Sequence, residues 1–213
     1  MDTNSSVFQL FDQTQPKEHL FIDVPCGQLR FALDFHILIQ YSGVAKSIYS
    51  ETKRLSKEKQ LQTISNNFNQ KFQEACESLK TSQLNAQFFL CILTGKRQTL
   101  YNSDLFDFFN LSKYFEIPKL LEHIENFCET LNTTNEIFSV LANRKILEEE
   151  EKNFNEFIDC GHMKQKLSNN IRKLLQIKNF RNFFPLSSIF RIFQCSEKFH
   201  MYLDESNSSK NIE

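Results

Sequence analysis

The chain has 213 residues and a formal charge of −1 at pH 7, with 40% hydrophobic and 24% charged positions. That length is enough for one or two domains, each with its own core. The balanced charge excludes the basic stripe typical of nucleic-acid-binding proteins. No apolar run approaches the ~18 residues of a membrane span, and residues 1–18 lack the basic start and apolar centre of a secretion signal. The chain is therefore expected in the cytoplasm, with the nucleus as second choice.

Residues 1–17 are mostly polar and read as a mobile arm, interrupted by a small apolar cluster of Val7, Phe8, Leu10 and Phe11. Two alternating segments follow, 19–25 and 29–34, separated by Cys26-Gly27-Gln28, which predicts a β-hairpin. The apolar spacing then becomes helical. Ile37, Tyr41, Val44 and Ile48 lie on one predicted helix face, with Phe35 and Ile39 on another. Residues 51–60 read as a solvated charged segment. The next five, Leu-Gln-Thr-Ile-Ser, alternate weakly and fit a third strand, whereas 69–87 have helix-favouring composition.

From 86 to 94 the chain is almost continuously apolar, which predicts a buried helix ending at Gly95 as a left-handed C′ residue. Residues 96–104 form a polar link. Asp104 is placed to N-cap a helix carrying Leu105, Phe106, Phe108, Phe109, Leu111 and Phe115. Pro118 suits the first turn of the next helix, which carries Leu120, Leu121, Ile124, Phe127, Cys128 and Leu131. The short link at Glu116-Ile117 makes these two an αα-hairpin.

Beyond residue 131 only helices are expected. Thr133 or Thr134 caps one with Ile137, Phe138, Leu141 and Ile146, and the Glu148–Glu151 run lies on solvated surface. Another helix ends near Gly161, and Leu167, Ile171, Leu174 and Leu175 share a face of the next. Pro185 breaks that pattern. Ser187 caps a last helix with Ile189, Phe190 and Phe193, and 204–213 form a polar tail.

The Gly95-Lys96 pair after a buried run resembles the end of a phosphate-binding loop, but the spacing fails. Such a loop needs glycine five positions before Gly95, where Leu90 stands, and Ser or Thr after the lysine, where Arg97 stands. Six cysteines, at 26, 76, 91, 128, 160 and 195, lie at least fifteen positions apart. They lack the close ligand pairs of structural zinc sites and read as small buried hydrophobes. Cys160-Gly161-His162, the one close Cys/His pair, reads as a helix-ending turn. The five histidines are scattered outside any nucleophile or metal motif. The expectation is a non-enzyme with no catalytic residue, cofactor, metal or small-molecule ligand. The 23 phenylalanines, with no tryptophan, read as core filler.

The order of the pieces resembles a BTB/POZ domain over residues 18–131. Phe89–Gly95 is similar to the phrase that closes an apolar helix in that family, with Leu93 where tyrosine is usual. The stretch Leu105 to Leu131, including Ser-Lys-Tyr-Phe-Glu-Ile-Pro-Lys-Leu and Phe127-Cys128-Glu129, resembles the family's second phrase. Asp34 stands eight positions before Ser42, where the family carries histidine. Residues 132–203 resemble the BACK-like helical extension of such proteins, of a type expanded in AT-rich unicellular eukaryotes. The resemblance implies an α+β fold, a small mixed sheet capped by helices, followed by an all-α extension.

It also implies a protein–protein interaction module. Partners would be a second copy or another BTB protein, with a cullin as a further partner if the chain is an adaptor for ubiquitination. Phe35, Ile37, Ile39, Tyr41, Val44 and Ile48 are the candidate dimer residues. Phe72 and Glu74 are the candidate cullin contacts, on a short hydrophobic-x-Glu element. The alternative is an oligomeric scaffold without a ligase role, or a truncated relative of BTB–repeat proteins.

Overall fold

A computed structural model describes residues 5–12, 20–141, 151–159, 163–176 and 187–190. It is a mixed α+β structure. The chain divides into two compact units, one spanning Ser5–Ile124 and the other containing Glu125 onward.

The first unit opens with strand β1 (Ser5–Phe8), which pairs antiparallel with β4 (Gln98–Tyr101). A second antiparallel ribbon is formed by β2 (Phe21–Cys26) and β3 (Leu29–Asp34). The hairpin turns at Gly27, whose φ of 62° is strained for any residue with a Cβ. A Cβ there would also strike Gln83 Nε2 at 1.7 Å. The helices are α1 (Phe35–Leu38), α2 (Gly43–Thr52), α3 (Lys57–Ser78), α4 (Gln83–Leu93), α5 (Leu105–Tyr114) and α6 (Pro118–Thr130).

Several expectations need correction. Residues 5–8 are not a mobile arm: they form β1, and Phe8, Leu10 and Phe11 are buried. The polar link 96–104 contains β4 and a 3-10 turn at Asn102–Asp104. The Leu-Gln-Thr-Ile-Ser segment is not a third strand but part of α3, because Ile64 begins a buried stripe continued by Phe68, Phe72 and Ala75. Those 4, 4 and 3 spacings are helical. In place of one mixed sheet, the described residues form two separate antiparallel ribbons. The predicted first helix breaks at residues 39–42. Ile37 therefore lies in α1, while Val44 and Ile48 lie in α2.

The break is built from two caps. Asp34 accepts from the amides of His36 at 3.1 Å and Ile37 at 3.4 Å, starting α1. Ser42 accepts from Ala45 N at 3.2 Å, starting α2, while its own hydroxyl donates to Phe115 O at 2.7 Å. Asp104 lies just before α5 but makes no side-chain cap; its carboxylate instead accepts from Ser103 Oγ at 3.1 Å.

Three helices end in the same way. After α4, Lys96 N donates to Cys91 O and Gly95 N to Ile92 O; after α3, Thr81 N reaches Cys76 O and Lys80 N reaches Glu77 O. After α5, Ile117 N reaches Ser112 O and Glu116 N reaches Lys113 O. These are paired Schellman hydrogen bonds, and each needs a left-handed residue. Only the first uses glycine: Gly95 has φ 76°, Lys80 φ 50° and Glu116 φ 51°.

Phenylalanine fills the core. Phe115 lies 5.5 Å from Phe68, 5.4 Å from Phe89 and 6.3 Å from Phe72, centroid to centroid, and Phe35 meets Phe68 edge-on at 5.8 Å. Aromatic pairs at these distances add to the burial of their area.

In the second unit, α7 (Thr134–Leu141) begins with a capping box. Glu136 N donates to Thr133 Oγ1, and Thr133 N donates back to Glu136 Oε2. This selects Thr133 as the cap. Helices α8 (Glu151–Asp159) and α9 (Met163–Gln176) follow, with Phe154, Phe157, Ile158, Leu167 and Leu174 buried. Lys166 of α9 donates to the carbonyls of Glu129 and Leu131, where α6 leaves acceptors unpaired. Ile146, Cys160, Gly161, His162, Pro185, Phe193, Cys195 and the tail lie outside the described residues.

Candidate interaction surface

The α1–α2 break docks on the corner between α5 and α6. Ser42 Oγ donates to Phe115 O, and Gly43 N donates to Glu116 O at 3.1 Å. Around this junction runs an open groove of about 660 Å³, lined by Ile39, Tyr41, Lys46, Lys113, Pro118 and Leu121, among others. Ile39, Tyr41 and Leu121 are half-buried, whereas Lys46, Lys113 and Glu116 are exposed. The apolar floor with a charged rim has the composition of a small interaction surface.

Tyr41 is held from two sides. Phe11 stacks on it at 5.5 Å, and Lys119 Nζ lies 5.6 Å from the ring centroid. The same ammonium donates to Leu10 O at 2.6 Å. The Glu116 side chain lies directly over Gly43, where a Cβ would sit 1.8 Å from Glu116 Oε2. Gly43 opens α2, so this carboxylate rests at the positive end of that helix.

The candidate dimer residues divide in two. Phe35 and Ile48 are buried in this unit, and Phe35 packs on Phe68. Ile37, Ile39, Tyr41 and Val44 are half-buried. Of these, Ile39 and Tyr41 line the groove, joined by Pro118 and Leu121 of α6. Sequence periodicity could not add the α6 residues, because nothing in their spacing says which first-unit helix they approach. Of the candidate cullin contacts, Phe72 is buried against Phe115. Glu74 is half-buried and pairs with Lys71 Nζ at 3.3 Å. Hydrogen bonds from Gln70 and Lys71 hold its carboxyl below the usual range.

Among the described residues, reactive chemistry elsewhere is sparse. Burial pushes the thiols of Cys76 and Cys128 up to about 12 and those of Cys26 and Cys91 upward. Thiols so shifted are poor nucleophiles. Among the described residues no group of three or more His, Cys, Asp or Glu side chains could hold a metal ion. Likewise, no described helix is long and apolar enough to cross a membrane. A buried polar pair was not evident from the sequence: Asn85 Nδ2 donates to Asp107 Oδ2 at 2.7 Å. Its signal was the charged residue inside the apolar start of α5. No family model matches the chain, and no curated protein or solved structure matches it.

Proposed function

We propose that this chain is a protein–protein interaction module of the BTB/POZ type with a BACK-like extension, self-associating through the groove where α1–α2 meets α6. The observation that carries this reading is the half-buried apolar set Ile39, Tyr41 and Leu121 at the mouth of that groove. It is supported by the resemblance of Phe89–Gly95 and Leu105–Leu131 to the family's two phrases. A stable interface buries about 1,600 Å² in total, so the groove would be the centre of a larger contact.

Molar mass in solution tests the reading. A dimer that becomes a monomer in Ile39→Asp and in Leu121→Asp supports it. A wild-type monomer overturns self-association, and a dimer untouched by both changes overturns the assigned surface. Both residues are only half-buried, so these variants avoid the core damage that Phe35→Asp would cause.

The scaffold reading, without a ligase role, is favoured over a cullin adaptor by one feature. Phe72 is part of the core, which leaves Glu74 alone of that pair at the surface. Pull-down by a cullin N-terminal domain decides between them; retention of the well-folded chain would sink the scaffold reading.

A further inference from the structure

Residues 5–12 form a strap held to the rest of the first unit by contacts far along the chain. β1 pairs with β4, Lys119 donates to Leu10 O, and Gln9 Nε2 donates to Gly95 O at 3.0 Å. Phe11 packs against Gly95 and stacks on Tyr41. At its β1 end the strap rests on one imidazole. Ser6 Oγ and His123 Nε2 are hydrogen-bonded at 2.9 Å, and the Phe8 ring lies 4.8 Å from the His123 ring. Phe8 is buried and His123 half-buried.

We propose that His123 is a proton-controlled latch: neutral, it holds β1 against α6, and protonated, it loosens the strap. The Ser6 hydrogen bond alone does not discriminate, because a hydroxyl can donate to a bare Nε2 or accept from a protonated one. Discrimination comes from surroundings that do not stabilise a cation. Among the described residues, no carboxylate pairs with the ring, and Phe8 covers part of it.

Among the described residues, the neighbouring elements supply no competing switch. β1 carries no charged residue, and β4 across the ladder presents Gln98, Thr99, Leu100 and Tyr101. Among the described residues, the charged groups on the strap and on the segments it touches are Asp12, Lys96 and Arg97 after α4, and Lys119 and Glu122 on the first-unit part of α6. None is an imidazole, the side chain that ordinarily changes charge between pH 5 and 8.

Burial lowers the His123 pKa from its ordinary value. A basic group depressed in the docked state leaves docking at full strength above its free pKa. That strength is lost progressively as pH falls from the free pKa to the docked one. The strap is therefore firm at neutral pH and loosens in mild acid. Loosening frees the edge of β4 and uncovers Phe8.

Hydrogen exchange on the full chain, expressed as protection factors at about pH 7.5 and pH 5.5, tests the latch. In the wild type, protection of peptides covering 5–12 and 98–101 should fall at least about threefold in acid, while peptides of α5 hold steady. In His123→Gln, which keeps a hydrogen-bonding side chain without titrating, the fall should vanish. His123→Phe, which keeps a ring beside Phe8, should behave likewise if the glutamine variant proves unstable. An equal acid-induced fall in the non-titrating variants, or no fall in the wild type, overturns the proposal.

Discussion

Glu116 and Lys80 occupy the same backbone conformation for different reasons. A left-handed residue with a Cβ costs about 1 kcal/mol relative to glycine, so Lys80→Gly should stabilise the chain by about 0.5–1 kcal/mol in urea unfolding. Glu116→Gly should gain much less. Its carboxylate lies at the N-terminus of α2, and losing an anion there costs about 0.3–1 kcal/mol. Glu116→Gln keeps the strain and loses only the charge, so it should destabilise, with an effect that fades as salt is raised. Asp104 offers a pH test at the same scale. Burial raises its carboxyl pKa, opposed by hydrogen bonds from Ser103 and Tyr101. An acid raised in the folded state penalises folding above its folded pKa, and the penalty is absent below the unfolded one. Asp104→Asn, which can still accept from Ser103, should therefore raise the urea midpoint at pH 7 and have little effect near pH 4. An unchanged midpoint at pH 7 would contradict the assignment.

At the scale of elements, the decisive contact is the docking of the α1–α2 break on the α5–α6 corner. Phe115 sits beneath that corner, with three phenylalanine rings around it. Phe115→Ala should cost about 3–5 kcal/mol in denaturant unfolding. Gly95→Ala should cost at least about 1 kcal/mol, since φ is 76° and a Cβ would meet the Phe11 ring at 2.4 Å. How legible these elements were follows from how local their causes are. The hairpin, the helix ending at Gly95 and Pro118 at the start of α6 depend on neighbouring residues, and the sequence pattern displays them. β1 and β4 do not. Their partners lie ninety or more positions apart, and the alternation within four residues is too short to separate a strand from a polar link. The first half of α3 offers only Leu61 and Ile64 as apolar positions before Phe68, and Leu61 is exposed, so its pattern is too sparse to read as a helix. The candidate surface was half legible: Ile39 and Tyr41 lay on the predicted helix, but Leu121 joins them only through the fold.

Across the whole molecule, charge is nearly balanced, and burial raises the pKa of all four described cysteine thiols. Native alkylation is a direct check. At about pH 8, Cys76 and Cys128, whose thiols are pushed up to about 12, should react far more slowly than in denaturant. Rapid modification of the folded chain would show that one of these sites opens. The two units also differ in kind. The first holds both ribbons, whereas the described elements of the second are helical.

The ladder between β1 and β4 also governs the order in which the chain can be assembled. Ser6 must wait for His123, 117 residues later, to leave the ribosome, a delay on the order of ten seconds at cellular synthesis rates. Throughout that interval Phe8 lacks its His123 neighbour and Leu10 its Lys119 donor, and an unpaired apolar strand invites association with other chains. Of the described strands, the first to be made is thus among the last to be placed, so premature association of the nascent chain is expected first over residues 5–12.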